Sequence, residues 1–204
     1  MRLGTSVLVL PMRHPLPLAK ELATLQNLSQ GRLILGAGVG WMEAEFAALG
    51  APFLERGRRM DEGIALMRAA WTRDPITFPT RWIPAVVQEM RMQPRPVAPI
   101  PIWIGGSSEP ALKRATRLDG WHGSRVTPDG APALVQRLRA VRPDPAFTIS
   151  LRMRWDGAQP DRMRADLEHY SEAGVQHVLL EPMERELDAW LRAVEDAANL
   201  ITRA

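Results

Sequence analysis

The sequence predicts an α/β fold of parallel strand-helix-strand units, closed as a (β/α) barrel rather than spread as an open doubly wound sheet. Three observations lead there. Apolar runs of strand length alternate with segments of helical period six times, and a parallel strand pair needs a crossover of about a dozen residues, usually a helix. Glycines gather at or just past expected strand ends, at Gly36 to Gly40, Gly105 with Gly106, and Gly120 with Gly123. A barrel builds its site from many loops at one rim, whereas a doubly wound sheet concentrates its signal at one switch point. Finally, 204 residues with 46% hydrophobic content suffice for one sizeable core, so one domain over 1–204 is expected.

The elements follow in order. Residues 2–10, rich in Leu and Val, read as a buried strand, and Leu18, Leu22 and Leu25 with their Ala neighbours trace a helix that stops before Gly31. Arg32 to Ala37 is the next strand. Trp41 to Leu49 and Glu55 to Trp71 are helical, parted at Pro52. Residues 73–101 carry many prolines and little periodicity, which is unusual inside a compact domain and marks an ordered functional insertion. PIWIGG then reads as a strand, Glu109 to Leu118 as a helix, GWHGSR as a short strand and Asp129 to Val141 as a helix. Two more pairs complete the chain: strand Phe147 to Trp155 with helix Asp161 to Ala173, and strand Val175 to Glu181 with helix Glu184 to Ile201.

Composition excludes several functions. No apolar run reaches the length of a membrane span, and MRLGTSVLVLP has one positive charge, a strand-like core and no small-residue cleavage site, so neither a span nor an export signal is expected. The chain has no Cys, hence no disulfide framework, no thiolate nucleophile and no cysteine-ligated metal, and a cytoplasmic location is expected. The net charge is +3, and the arginines are dispersed beside acids, as in Met183 to Glu186. That pattern is a solvated helix surface, not a nucleic-acid stripe. His14, His122, His169 and His177 lack metal-ligand spacing and no G-x-S-x-G occurs, so neither a metal site nor a serine hydrolase is expected. His14 reads as a local cap, His122 as a strand-end residue beside Trp121, and His169 and His177 as surface or helix-packing positions.

The stretch GRLILGAGVGWMEAEF puts Gly36, Gly38 and Gly40 before Trp41, so the third glycine of a G-x-G-x-x-G fingerprint is displaced. Asp61 and Glu62, about 20 residues on, fall in the helical segment RRMDEGIALMRAAW rather than at a strand end, and the dinucleotide reading fails. In IWIGGSSEPALKRA a strand runs into Gly105 and Gly106, with Ser107 and Ser108 as candidate N-caps and Glu109 and Pro110 in the first turn. Free N–H groups at such a turn form a phosphate cradle.

Taken together, LGTSVLVLP, GRLILGAGVGW, RRMDEGIALMRAAW, MQPRPV, PIWIGGSSEPALKRATRLDGWHG and AGVQHVLLEP, occurring in that order, closely resemble the luciferase-like monooxygenase superfamily, and within it the branch using the deazaflavin coenzyme F420. The resemblance implies a (β/α)8 TIM barrel of the bacterial luciferase type, here incomplete, with about six of eight strand-helix units matching the family's third to eighth. It further implies an oxidoreductase transferring hydride between F420 and a small organic substrate. An FMN-dependent monooxygenase and a truncated, non-catalytic barrel remnant stay open, as does a homodimer. Implied cofactor contacts are Ser6 and Val7, where the family often has a non-prolyl cis peptide, with Gly36, Gly38, Val39 and Gly40, then Gly105, Gly106, Ser107 and His122. The glycines at 36 to 40 are read as letting the backbone approach the ligand. Catalytic residues are not assigned. An open gap is expected between strands 2–10 and 175–181, leaving Leu3, Val7, Val178 and Leu180 less covered than barrel staves.

Overall fold

In the computed structural model, which describes residues 1–83, 86–155 and 159–202, the apolar opening stretch forms two short strands instead of one, β1 (Leu3–Gly4) and β2 (Leu8–Val9). Both lie parallel to the same neighbour, β3 (Leu33–Gly38), with Leu3 opposite Leu33 and Leu8 opposite Ala37. They share one strand position, broken over 5–7. A 3-10 turn at Leu10–Met12 leads to helix α1 (Pro15–Leu28), where His14 caps the start by accepting a hydrogen bond on Nδ1 from Leu16 N.

Contacts divide the chain into two units, Met1–Ile102 and Trp103–Ala204. In the first, all six residues of β3 are buried, and the Leu35 amide donates to the Pro101 carbonyl. Helix α2 (Glu43–Ala48) and the longer α3 (Arg56–Thr72) follow β3. Apolar residues spaced three and four apart, Leu18 and Leu22 on α1 and Met60, Ile64 and Met67 on α3, form the buried helical stripes. Where α1 and α3 meet, Trp71 Nε1 donates to the Ala19 carbonyl.

The Pro-rich insertion holds an antiparallel pair, β4 (Ile76–Phe78) with β5 (Val87–Met90), while Pro84 and Ala85 lie outside the described residues. Its prolines remove ladder donors, and helix side chains meet much of the remaining backbone instead. The Glu62 carboxylate accepts from the amides of Arg81, Trp82 and Ile83. Gln26, fully buried, accepts from Leu33 N and donates to the carbonyls of Ala98 and Pro99, and Asn27 bonds Arg95 O and Val97 N.

In the second unit, strands β6 (Ile102–Gly105), β7 (Gly120–Ser124), β8 (Thr148–Trp155) and β9 (His177–Pro182) pair successively in parallel. Helices α4 (Glu109–Ala115), α5 (Ala131–Val141), α6 (Pro160–Glu172) and α7 (Leu187–Thr202) each follow one strand. The helices and strands expected from periodicity are thus present, with ends shifted by a few residues. Gly120 and Gly123 correct the sequence reading, since they open and sit within β7 instead of lying past its end. Gly120 is there because a Cβ would come within 2.5 Å of Trp103 Cδ1 and 2.7 Å of the Thr148 carbonyl.

Six parallel strand positions, each followed by helix, make this an α/β fold of the incomplete (β/α)-barrel class. Among the described residues β1 has only β3 as a partner, and β9 only β8. Accordingly Leu3 is 43% and Val7 37% exposed, and Val178 and Leu180 are half-buried. No helix among the described residues is long and apolar enough to cross a membrane.

Two glycines in the first unit should respond oppositely to Ala. A Cβ on Gly36 would collide with the Thr5 carbonyl oxygen, while one on Gly63, inside α3, would meet Pro15 Cβ at 3.7 Å and Ile83 Cδ1 at 3.9 Å. Gly36→Ala is expected to destabilise by about 1–3 kcal/mol through overpacking, and Gly63→Ala to stabilise by about 0.5–1 kcal/mol through helix propensity. Urea unfolding of both variants checks this, and equal midpoints would contradict it.

Candidate functional site

The segment between β1 and β2 is pressed onto β3. Thr5 Oγ1 donates to the Gly36 carbonyl at 2.8 Å, and the Ser6–Val7 peptide is cis, as the resemblance anticipates. Beside it, a Cβ on Gly38 would lie 2.7 Å from Val7 Cγ2, and one on Gly40 2.7 Å from Val9 Cγ1 and 2.8 Å from Phe46 Cε2. Gly36 and Gly38 are strand residues of β3, not a turn. Their small size is required by the chain's own neighbouring segment, a packing reason for glycine beside the ligand approach that the resemblance implies. Val39 and Gly40, just past the strand, are half-buried, and Gly40 has φ +78°.

In the second unit β6 ends at Gly105 and the chain turns at Gly106, with φ +104°. The Gly106 carbonyl accepts from Trp121 Nε1 at 2.8 Å, which anchors the turn. A Cβ at Gly106 would meet only Ala111 Cβ, at 3.4 Å, so backbone conformation, more than space, demands glycine here. Of the two candidate caps, Ser108 is the N-cap of α4 and its side chain makes no capping bond; Ser107 precedes it, exposed. Glu109 is ion-paired with Arg137 and lies 3.9 Å from Lys113. The hydrogen bond from Arg137 holds its carboxyl below the usual range, so its charge is compensated locally.

The two faces of β7–β9 differ sharply. In TISLRMRW and HVLLEP alternate residues are apolar: Trp155, with Met153 and Leu180 beside it, packs on Met163 of α6 and on Ala193 and Ala197 of α7. The opposite face carries His122, Ser124, Ser150, Arg152, Arg154, His177 and Glu181, with Leu179, opposite Arg152, as an apolar member. Barrel interiors are normally filled by bulky branched residues, so a charged, hydroxyl-bearing face turned away from the covering helices is a candidate ligand surface. Of these residues the sequence reading had singled out only His122 as a contact. The strict two-residue period of β8 was the signal for the rest.

Pairing register places His122, Ser150 and His177 side by side across β7, β8 and β9. Ser150 Oγ lies 2.8 Å from Nδ1 of both imidazoles. One hydroxyl has one proton, so it donates to one ring and accepts from the other, and the two Nδ1 atoms must differ in protonation. His122 is 5% exposed; burial first, then the charges of His177 and Arg152, lowers its pKa to about 4. His177 is exposed and stacks edge-on against Trp103, so of its two readings, surface or helix-packing, the surface one holds. His122 is thereby committed to a buried network.

A depressed histidine pKa makes the folded state bind its proton later than the unfolded chain does. Stability is therefore complete above the ordinary value of 6.5 and falls as pH drops towards about 4. Over that window the wild type should lose about 3 kcal/mol, and His122→Asn should show a flatter profile. Thermal unfolding at a series of pH values measures both, and parallel profiles would refute the assignment.

Comparison with known proteins follows the same lines. The family model described as luciferase-like monooxygenase matches residues 1–202. An uncharacterized Mycobacterium tuberculosis protein is 34% identical over 148 residues, covering 72% of this chain and 51% of the relative. The FMNH2-dependent dimethylsulfone monooxygenase of Pseudomonas fluorescens is 34% identical over 133 residues, covering 62% of this chain and 35% of that protein. The chain thus spans about half the length, or less, of these relatives. Among solved structures, an F420-dependent secondary alcohol dehydrogenase superimposes with a TM-score of 0.78 at 16% identity, covering 98% of this chain and 79% of that one. The coenzyme F420-dependent tetrahydromethanopterin reductase of Methanopyrus kandleri gives 0.75 at 16% identity, with 95% and 81% coverage. At that identity the likeness shows the fold, whereas the match over nearly the whole chain shows the family: the protein belongs to the luciferase-like monooxygenases.

Proposed function

We propose that the protein acts as an oxidoreductase that uses the deazaflavin coenzyme F420 to exchange hydride with a small organic substrate. The choice of F420 rests on the family resemblance, and the observation carrying a phosphate-bearing cofactor is the Gly105–Gly106–Ser107 turn. Its backbone is held by the Trp121 indole, its neighbouring acid is neutralised by Arg137, and it leads into the first turn of α4, whose N–H groups have no helical acceptor. A phosphate-bearing cofactor fits such a turn. For the first unit taken by itself, Ser6, Val7, Val39 and Gly40 are proposed as ring contacts on the family resemblance alone. Gly36 and Gly38 act there indirectly, by letting the 5–9 segment lie close to β3.

When bound, a deazaflavin supplies the hydride-accepting or hydride-donating ring carbon. The chain's own residues bind and orient it. Gly105, Gly106 and Ser107 present backbone N–H groups, and His122, held neutral chiefly by its burial and oriented by its hydrogen bond with Ser150, contributes a fixed hydrogen-bonding edge instead of a charge. A small-molecule substrate is expected, and a cytoplasmic setting suits a chain without Cys.

An FMN-dependent monooxygenase is the second reading, supported by the resemblance to the dimethylsulfone enzyme. Adding F420 or FMN to the purified chain and recording absorbance and thermal shift separates the two. Stabilisation by F420 alone is expected; retention of FMN favours the second reading, and no response to either leaves a non-catalytic barrel remnant. Ser107→Asp, an exposed substitution that suits a helix start, is expected to leave the unfolding temperature unchanged and to weaken cofactor binding about tenfold by repelling phosphate. Undiminished affinity would exclude this turn as the phosphate contact.

A further inference from the structure

We propose that the C-terminal end of β8 carries an oxyanion-binding site centred on Arg154, which takes a carboxylate or phosphate group. The site does not depend on which of the two cofactors binds. Arg154 stands opposite Glu181 in the pairing of β8 with β9, and its Nε lies 3.4 Å from Glu181 Oε2. The same oxygen is 3.5 Å from Arg152 Nε. One carboxylate therefore serves two guanidinium groups. The Arg154 side chain is 58% exposed, and it also lines a cavity of about 220 Å3 together with Trp155, Gln159, Arg162 and Asp166.

Of the residues lining the cavity two are arginines (154 and 162) and one is an acid (Asp166), while Glu181, outside the lining, pairs with Arg154 and is shared with Arg152. A second observation is independent of charge. Trp155 is 4% exposed, and its buried Nε1–H has no acceptor among the described residues. Buried donors without partners are uncommon in folded proteins, and Trp155 is one of the residues lining the same cavity. Guanidinium groups match the paired oxygens of carboxylates and phosphates with two parallel hydrogen bonds, and the C-terminal ends of barrel strands are where such folds bind ligands. Glu181 then plays two parts. It holds Arg152 and Arg154 side by side against their mutual repulsion, and it competes with an incoming anion for the same donors.

That competition makes the test directional. The indole and arginine Nε–H signals of the whole chain are followed by 1H–15N NMR during titration with inorganic phosphate and, separately, with acetate, at constant ionic strength set by chloride; Trp155→Phe identifies the reporter indole. A saturable shift of the Trp155 signal is expected. Arg154→Gln should weaken binding about tenfold or more, Arg162→Gln should weaken it less, and Glu181→Gln should tighten it several-fold. A Trp155 shift that persists with FMN present at saturation would keep this site separate from the cofactor turn, and the tighter-binding of the two titrants, phosphate or acetate, would identify the group it takes. A shift that never saturates, one that chloride reproduces, or a Glu181→Gln variant that binds as weakly as Arg154→Gln would overturn the proposal.

Discussion

The first unit depends on how closely its opening segment can approach β3. A parallel pair needs continuous backbone contact, yet the opening stretch is broken at Thr5 to Val7, and Thr5 turns its hydroxyl onto the Gly36 carbonyl. Any side chain at 36 would meet the Thr5 carbonyl, and one at 38 would meet Val7. With glycine at both positions β1 and β2 can share one neighbour, and β3 is buried along its whole length. The packing of α1 and α3 follows, because the apolar stripes on those helices need a strand surface of fixed position beneath them.

Proline-rich stretches raise a related difficulty, since they lack the donors needed to join a sheet. The insertion over 73–101 is held by side chains that reach from helices. Glu62 collects three successive amides at 81–83, and Gln26 and Asn27 grip the far end at 95–99. Gln26 sits fully buried on an otherwise apolar helix face, and its cost is offset because both its amide oxygen and its amide nitrogen are bonded. Buried polar residues on a helix can in this way organise a loop far along the chain.

In the second unit β8 divides two environments. Its apolar side completes the packing of α6 and α7, and its other side carries hydroxyl, imidazole and guanidinium groups. Parallel strands buried on both faces usually read as continuous hydrophobic runs. The alternation in β8 therefore marks a surface kept polar for contact with something other than protein core. The His122–Ser150–His177 row and the Arg152–Glu181–Arg154 cluster are neighbours on that surface, and the positive field of the arginine helps keep the buried imidazole neutral.

The sequence by itself determined the order and type of nearly all elements, because hydrophobic period distinguishes Leu18 and Leu22 on a helix from Ile149 and Leu151 on a strand without reference to distant residues. It also carried the family motifs, including the glycine turn after β6 and the unusual Ser6–Val7 position. What the glycines at 36, 38, 120 and 123 are for was decided only by tertiary structure, since the atoms they avoid belong to Thr5, Val7, Trp103 and Trp121, and three of these four lie in other strand positions. The polar row was hidden for the same reason: His122, Ser150 and His177 are 28 and 27 residues apart, and no local pattern encodes a register between strands. Charges and hydrogen bonds act over a few ångströms in space, so the chemistry of a site becomes visible only when folding has brought its separated residues within that range.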